Sequence, residues 1–331
     1  MEDNTPLISI IIPLYNSEKY IEAALDSILD SDLDKSDYEI IVVNDGSTDK
    51  GPVIAQRYAA NVDNIIYLSQ ENQGQSVARN KGMSMCHGDY FWCVDADDTL
   101  EPNLLPIVEI LRQNPGLDIL AVLEQKVTEK HEFVSTHCYH STVTYKEVIS
   151  GRDAMVQGYS PSSACALIVK TQMVKDHQVF FVPGITHQDA EWTCRLMPMA
   201  NRVYFSDIVA YNYIWHDDSV THSIKPEKKL KYVLDDIFII KSFTANAEKY
   251  ADVEPELSKV ISARVKNNQI GLVLSLFKNR KQWKEIGIFD KIVTEFRKSG
   301  IIPLKGSYGS LKKNIAKIVL NIWCYFKTNR G

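Results

Sequence analysis

The stretch "FWCVDADDTLEP", residues 91–102, places Asp95, Asp97 and Asp98 within four positions behind an aromatic and apolar run. Like charges so close need solvent or a cation to offset their repulsion. Asp95 and Asp97 alternate on an extended chain, so their carboxylates leave on the same side. Hard oxygen donors of this kind suit Mg²⁺ or Mn²⁺, with water and phosphate oxygens filling the remaining positions. A cation held there offsets the charge of a departing diphosphate. The same letters also read as a plain turn, with Asp98 as the N-cap of a helix through "TLEPNLLPIVEILRQN".

Other polar clusters carry chemistry with a structural reading beside it. Tyr15, two residues after Pro13, offers an aromatic face to a base or merely fills a loop. Asp45 in "NDGSTD" could accept from a base imide or a ribose hydroxyl, or start an Asp-Gly turn. In "NQGQSVARNKG" (72–82), Arg79 suits bidentate pairing with a diphosphate, or a surface salt bridge, with Lys81 beside it. In "GITHQDAEWTCRLM", Asp189 and Glu191 flank a helix start near Asp189, where a carboxylate serves as general base, as a cap, or as both.

The elements that must position these groups follow a repeating pattern. "LISIII" (7–12) reads as a strand buried on both faces, followed by a helix capped by Ser17 with Tyr20, Ile21, Ala24, Leu25 and Ile28 on one side. "EIIVVND", "IIYLS" and "YFWCVDA" repeat the unit, each with a polar loop and a helix after it. This predicts an α/β, Rossmann-like, mostly parallel sheet flanked by helices, with ligands at the carboxyl ends of the strands. From about Leu117 the reading becomes "DILAVLEQKV", "HEFVSTHCYH", "SACALIVK", "RVYFS" and "VAYNYIWH" as strands with less regular helices. Beyond Pro226 it is helices only. The expected organisation is a domain over 1–225, in halves 1–116 and 117–225, and a helical region over 226–331.

Composition narrows the function classes. The chain has 331 residues, 45% hydrophobic and 24% charged, with a formal net charge of −5, which argues against a general nucleic-acid binder. Neither G-x-G-x-x-G after the first strand nor a P-loop is present. The six scattered cysteines lack zinc spacing and read as reduced thiols of a cytoplasmic protein. The acidic N-terminus with a six-residue apolar run reads as neither signal peptide nor membrane span.

Taken in order, "SIIIPLYNSEKYIEAALDSIL" (9–29), "EIIVVNDGSTD" (39–49), "ENQGQSVARNKG" (71–82), "DYFWCVDADD" (89–98) and "HQDAEWTCRL" (187–196) resemble the family 2 glycosyltransferases. These are inverting enzymes of GT-A fold that move a sugar from a nucleotide diphosphate donor. The resemblance implies that Pro13, Tyr15 and Asp45 line the nucleobase pocket, with 1–116 as the nucleotide-sugar half and 117–225 as the acceptor half. It implies Arg79 on the diphosphate, Asp95 on the ribose or diphosphate side, and Asp97 as ligand to Mn²⁺ or Mg²⁺ with Asp98 in support, the DxD motif. Asp189 is then the base that deprotonates the acceptor hydroxyl. The implied donor is a UDP-sugar of hexosyl or N-acetylhexosaminyl type, and the setting is surface-polysaccharide synthesis on a saccharide or lipid-linked acceptor. The chain departs from the family pattern at Gln188-Asp189, where Glu-Asp is common, and at Asn44-Asp45, where two aspartates are frequent. Glu191 is a candidate to compensate for the first. His216, Ser219 and His222 fall where the family often has a loop over the diphosphate.

Two other readings remain open at this level. One is a nucleotidyltransferase, which needs a Gly-rich basic loop where "PLYNSEKY" stands. The other is a non-catalytic sugar- or nucleotide-binding relative.

From Phe296 to Gly331 there are eight Lys or Arg and no Asp or Glu. Leu311, Ile315, Ile318, Val319, Ile322, Trp323 and Phe326 fall on one helical face, with Lys312, Lys313, Lys317 and Asn321 opposite. This describes a helix lying in a membrane surface over 311–326, at the inner face of the membrane. The alternative is a helix docked on the protein's own core with its lysines solvated.

Overall fold

The structure, a computed structural model, describes residues 5–130, 132–137, 142–160, 163–215 and 225–328. It divides into two compact units, Met1–Gly184 with Gln188–Ser219, and Ile185–His187 with Val220–Gly331.

The first unit is a mixed sheet between helices. Strands β1 (Ile8–Leu14), β2 (Tyr38–Asp45), β3 (Ile65–Gln70) and β4 (Tyr90–Cys93) alternate with α1 (Ile21–Leu29), α2 (Gly51–Asn61) and α3 (Gln75–Met85). Every residue of β1, β2 and β4 is buried, as expected of parallel strands covered on both faces. Then come β5 (Thr99–Leu100), α4 (Leu105–Gln113), β6 (Ile119–Thr128), β7 (Phe133–His137), β8 (Val148–Ile149), α5 (Gly151–Gln157), β9 (Leu167–Lys170), α6 (Thr171–His177), α7 (Gln188–Leu196) and β10 (Val203–Trp215). The order is β3-β2-β1-β4-β9-β6-β10-β5, with β7 on β6 and β8 on β10. Pairing is parallel from β3 through β4 and again between β6 and β10, while β9, β5, β7 and β8 run antiparallel. Chain order reverses between β1 and β4, so the crevice beyond their carboxyl ends is the switch point where such sheets bind ligands.

Three local expectations are corrected. No side chain caps α1: Ser17 instead bonds through Oγ to the Tyr15 carbonyl, and its own carbonyl accepts from Ile21 N. The chain after Asp98 first forms β5 against β10, and α4 begins only at Leu105, where Asp32 Oδ1 accepts from Leu104 N and Leu105 N (2.6 and 2.8 Å). "RVYFS" and "VAYNYIWH" are one strand, β10, with register shifts between Phe205 and Tyr211.

Gly82 fixes α3 on the sheet. A Cβ there would meet Ile11 Cγ2 at 2.4 Å, so only glycine lets the helix lie this close to β1. Arg79, one turn earlier, is thereby carried inward. Five cysteines (Cys86, Cys93, Cys165, Cys194 and Cys324) are buried, and burial pushes Cys93 up to about 12. Cys138 lies outside the described residues.

The second unit is helical: α8 (Pro226–Lys249), α9 (Pro255–Glu285), α10 (Phe289–Lys298) and α11 (Leu311–Thr328). Its interior includes Phe243, Ile261, Leu276, Ile292 and Phe296. Among the described residues no helix is long and apolar enough to cross a membrane.

Candidate functional site

The loops after β1 and β2 hold each other, and their polar letters do that work. Asn16 Oδ1 accepts from Thr48 N (2.8 Å), Asn16 N donates to Ser47 Oγ (3.1 Å), and Glu18 N donates to Asp49 Oδ2 (2.7 Å). Lys50 N returns a bond to Glu18 Oε2 (3.0 Å). On this rim Tyr15 is 51% exposed, while Pro13 is buried in β1 beside Val43.

Asp45 ends β2. It is 2% exposed, and its carboxylate accepts from Gln70 Nε2 (2.8 Å), Gln73 N (2.9 Å) and Gly74 N (2.7 Å). These bonds fold the loop into α3. Gly74, with φ +91°, ends that loop in a conformation other residues rarely adopt.

The aspartate triad sits beyond β4 at the switch point. The carboxylates of Asp95, Asp97 and Asp98 offer oxygens all within 4.8 Å of one another. Asp97 is exposed, Asp95 half-buried and Asp98 buried. Asp98 caps no helix. Its Oδ2 accepts from the Tyr211 hydroxyl (2.6 Å) and its Oδ1 from Ile214 N (2.8 Å), which pins the turn to β10. The same Tyr211 oxygen accepts from Asp95 N (3.2 Å). Burial first, and then the charges of Asp95 and Asp97, push the Asp98 carboxyl well above its ordinary range. A donor set of carboxylate oxygens with one exposed member fits a hard divalent cation.

Arg79 is 1% exposed and does not face solvent for a diphosphate. Its Nη2 donates to Asp95 Oδ1 (2.7 Å), its Nη1 donates to Asp189 Oδ1, and the guanidinium lies over the Phe181 ring (5.1 Å). Burial alone would lower its pKa, but the Asp189 and Asp95 charges outweigh that and hold it well above the ordinary value. The guanidinium thus forms a clamp that joins Asp95 to Asp189. Lys81 turns away, donating to the Ser69 carbonyl (2.8 Å).

Asp189 lies in the first turn of α7. With Oδ1 on Arg79, its Oδ2 keeps, among the described residues, only a long approach from Ala164 N (3.4 Å). Glu191 is not available to help. It is 1% exposed and held by Arg195 through both oxygens (2.7 and 2.7 Å). The preceding Gln188 uses both ends of its amide: Oε1 accepts from Ser76 Oγ, and Nε2 donates to Gln75 Oε1 (2.5 Å). Gln75 Nε2 in turn donates to Asp95 Oδ1 (2.7 Å), closing a ring through α3, the triad and α7. Gln75, Ser76 and Tyr211 were not singled out from sequence. The first two stand in "NQGQSV", where Arg79 took the attention, and Tyr211 looks like any alternating strand tyrosine. His216, Ser219 and His222 lie outside the described residues.

Residues 9–161 match the family described as Glycosyl transferase family 2. The uncharacterised glycosyltransferase YibD of Escherichia coli (strain K12) is 29% identical over 79% of this chain and 78% of its own. The poly(ribitol-phosphate) beta-N-acetylglucosaminyltransferase TarS of Staphylococcus aureus (strain Mu50 / ATCC 700699) is 26% identical over 62% of this chain, a match spanning 35% of that protein. The crystal structure of S. aureus TarS 1-349 in complex with UDP-GlcNAc superposes with TM-score 0.66 at 21% identity, over 96% of this chain and 89% of that one. The mannosyltransferase PcManGT from Pyrobaculum calidifontis, in complex with GDP-Man and Mn2+, gives TM-score 0.55 at 17% identity over 96% and 87%. At these identities the two structures speak for the fold. With the family's motifs at the carboxyl edge of this sheet and its model matching residues 9–161, the first unit resembles the family 2 glycosyltransferases, and the chain has the GT-A fold.

Proposed function

We propose that the chain transfers a hexosyl or N-acetylhexosaminyl group from a UDP-sugar to an acceptor hydroxyl with inversion, in the synthesis of a cell-surface polysaccharide. The observation that carries the reading is the Arg79 clamp, which holds Asp95 of the triad and Asp189 of α7 to one guanidinium. It sets the donor-side carboxylate and the base on a single rigid group. Nucleotide-sugar complexes of TarS and PcManGT support the donor class, and the Mn²⁺ of PcManGT supports the metal.

Tyr15 stacks on the base at the rim, with Pro13 shaping the backbone beneath it. Asp97, supported by Asp95 and Asp98, would hold Mn²⁺ or Mg²⁺, which would offset charge on the leaving diphosphate. Asp189 Oδ2 takes the proton of the acceptor hydroxyl as the hydroxyl oxygen attacks the anomeric carbon opposite the nucleotide. The sugar–phosphate oxygen bond breaks, its electron pair leaves with UDP, and one displacement inverts the centre. We place the enzyme in the cytoplasm, at the inner face of the membrane, working on a saccharide or lipid-linked saccharide.

Calorimetric titration with UDP, with and without Mn²⁺, tests the donor half for the parent and Asp97→Ala. Metal-dependent binding that the variant loses is the expected result. Metal-independent binding of equal strength in both would overturn the triad's role. Turnover of a UDP-sugar panel by Asp189→Asn tests the base: UDP binding should survive while transfer collapses, and unchanged transfer would remove Asp189 from that role.

A further inference from the structure

Helix α11 is half docked and half bare, and the bare half is apolar. Leu320 and Cys324 are buried, and Asn321 exchanges bonds with Leu304 N and O (2.8 and 2.9 Å). Lys313 reaches Asn267 Oδ1 (2.6 Å), and Lys317 reaches the Gly306 carbonyl (2.7 Å). Trp323 packs edge-on against Phe277 (5.1 Å) and Phe289 (6.4 Å). The grouping of Trp323 with the outward apolar residues is therefore corrected, and the side of Lys313 and Lys317 is the one turned to the protein. Leu311, Ile315, Ile318, Val319, Ile322 and Tyr325 form the outward stripe, each between 53% and 79% exposed. At 100° per residue they occupy an arc of roughly 120°, the width of a face that normally meets a core.

Beside Trp323 lies a cleft lined by Arg280, Lys281, Lys284 and Phe289. Lys284 Nζ stands 5.0 Å from the Phe289 ring centre, and Arg280 sits 4.6 Å from that of Phe277. Three cations therefore gather at the flank of the exposed helix, two of them over aromatic rings. No carboxylate lines the cleft, and none occurs between Phe296 and Gly331.

We infer that this face of the second unit, the α11 stripe with the Arg280–Lys281–Lys284 cleft, seats on an anionic phospholipid surface. The inference deepens the membrane part of the proposed function by naming the element and the lipid class. The stripe enters the acyl boundary, and the cleft cations take lipid phosphates. Charge decides against a second copy of the chain, since a stripe-to-stripe pair would set two acid-free helices, each with Lys312 beside the seam, against one another. An anionic bilayer offers the apolar depth and the countercharge together.

Co-sedimentation with vesicles tests this, comparing phosphatidylcholine alone with phosphatidylcholine containing phosphatidylglycerol. The parent should bind the anionic vesicles at least about tenfold better than the neutral ones, and raising salt from about 0.1 to about 0.5 M should release much of it. Ile318→Glu with Ile322→Glu should lower binding at least about tenfold, and so should Lys281→Glu with Lys284→Glu. All four positions are exposed or border solvent, and unchanged UDP affinity in both variants separates failure of this surface from failure of the enzymatic reading. A parent that stays in the supernatant with anionic vesicles overturns the inference. So does a parent dimer, seen by sedimentation velocity, that Ile318→Glu with Ile322→Glu dissolves. Lysine reversals that leave binding unchanged remove the cleft from it.

Discussion

Replacing Arg79 by Met removes one cation from between two carboxylates, and the structure fixes what that costs. The guanidinium is fully buried, while the Asp95 and Asp189 side chains keep 27% and 28% of their exposure. Breaking a buried pair by deleting one partner costs about 3–5 kcal/mol. Here both orphaned carboxylates can regain some water, so the lower end applies, about 3 kcal/mol. For a unit of this size that lowers the melting temperature by about 6–12 °C. Arg79→Lys keeps the charge but loses the planar fork that reaches both partners, and should fall between, at about 1–2 kcal/mol. The sign of a second substitution is the sharper test. In the parent, Asp189→Asn weakens a partner of a buried Arg and should lower the melting temperature. In the Arg79→Met background it removes an orphaned charge and should raise it. Scanning calorimetry on the four proteins measures this cycle. An Arg79→Met melting temperature within about 1 °C of the parent, or an Asp189→Asn effect of the same sign in both backgrounds, would refute the clamp. A large loss of UDP affinity in Arg79→Lys without loss of stability would restore the diphosphate role.

Three further outcomes follow from packing and charge. Glu191→Gln should destabilise by about 1–3 kcal/mol through Arg195 yet leave the catalytic rate of the folded fraction near the parent value, and a collapse of that rate would return Glu191 to the mechanism. Gly82→Ala forces a methyl onto Ile11 and should cost about 1–3 kcal/mol by urea melt; a neutral result would mean that α3 moves freely on β1. Burial pushes Glu39 up, but bonds from Ser9 Oγ (2.5 Å), His87 N (2.8 Å) and the His87 ring (2.9 Å) hold it below its ordinary value. Its contribution is thus present above the unfolded value and lost as pH falls through the folded one. The stability gap between the parent and Glu39→Gln should narrow as pH drops below about 4.3, and a gap constant from pH 7 to 3 would contradict it.

The sheet was legible because its strands are buried on both faces, and a run such as "LISIII" has few other uses. Asp95, Asp97 and the loop leading to Arg79 were legible as a group because polar residues at strand ends must share one edge, whereas Asp189, at the start of α7, joined them through the resemblance alone. What Arg79 does there was not, since a helical arginine reads alike whether it points to solvent or inward. Its direction comes from Gly82 pressed on Ile11 and from Phe181 over the guanidinium, contacts made 71 and 102 positions apart in sequence. Asp98 shows the same limit. As a letter it caps a helix, but Tyr211 and Ile214, more than 100 positions later, claim both oxygens.

The two departures from the family pattern have one physical explanation. Asn44 donates through Nδ2 to Ser69 Oγ (3.1 Å) and accepts from Ser47 N at Oδ1 (3.0 Å). Gln188 likewise donates to Gln75 and accepts from Ser76. A carboxylate at either position can accept but not donate. At 188 it would face Gln75 Oε1, and if Gln75 turned to meet it, its carbonyl oxygen would point at Asp95. It would also set a third negative charge beside the two that the single Arg79 cation already joins. The amides therefore hold the loop after β2 and the start of α7 with the site's charge count unchanged. On this account Gln188 positions Asp189 rather than marking a decayed site.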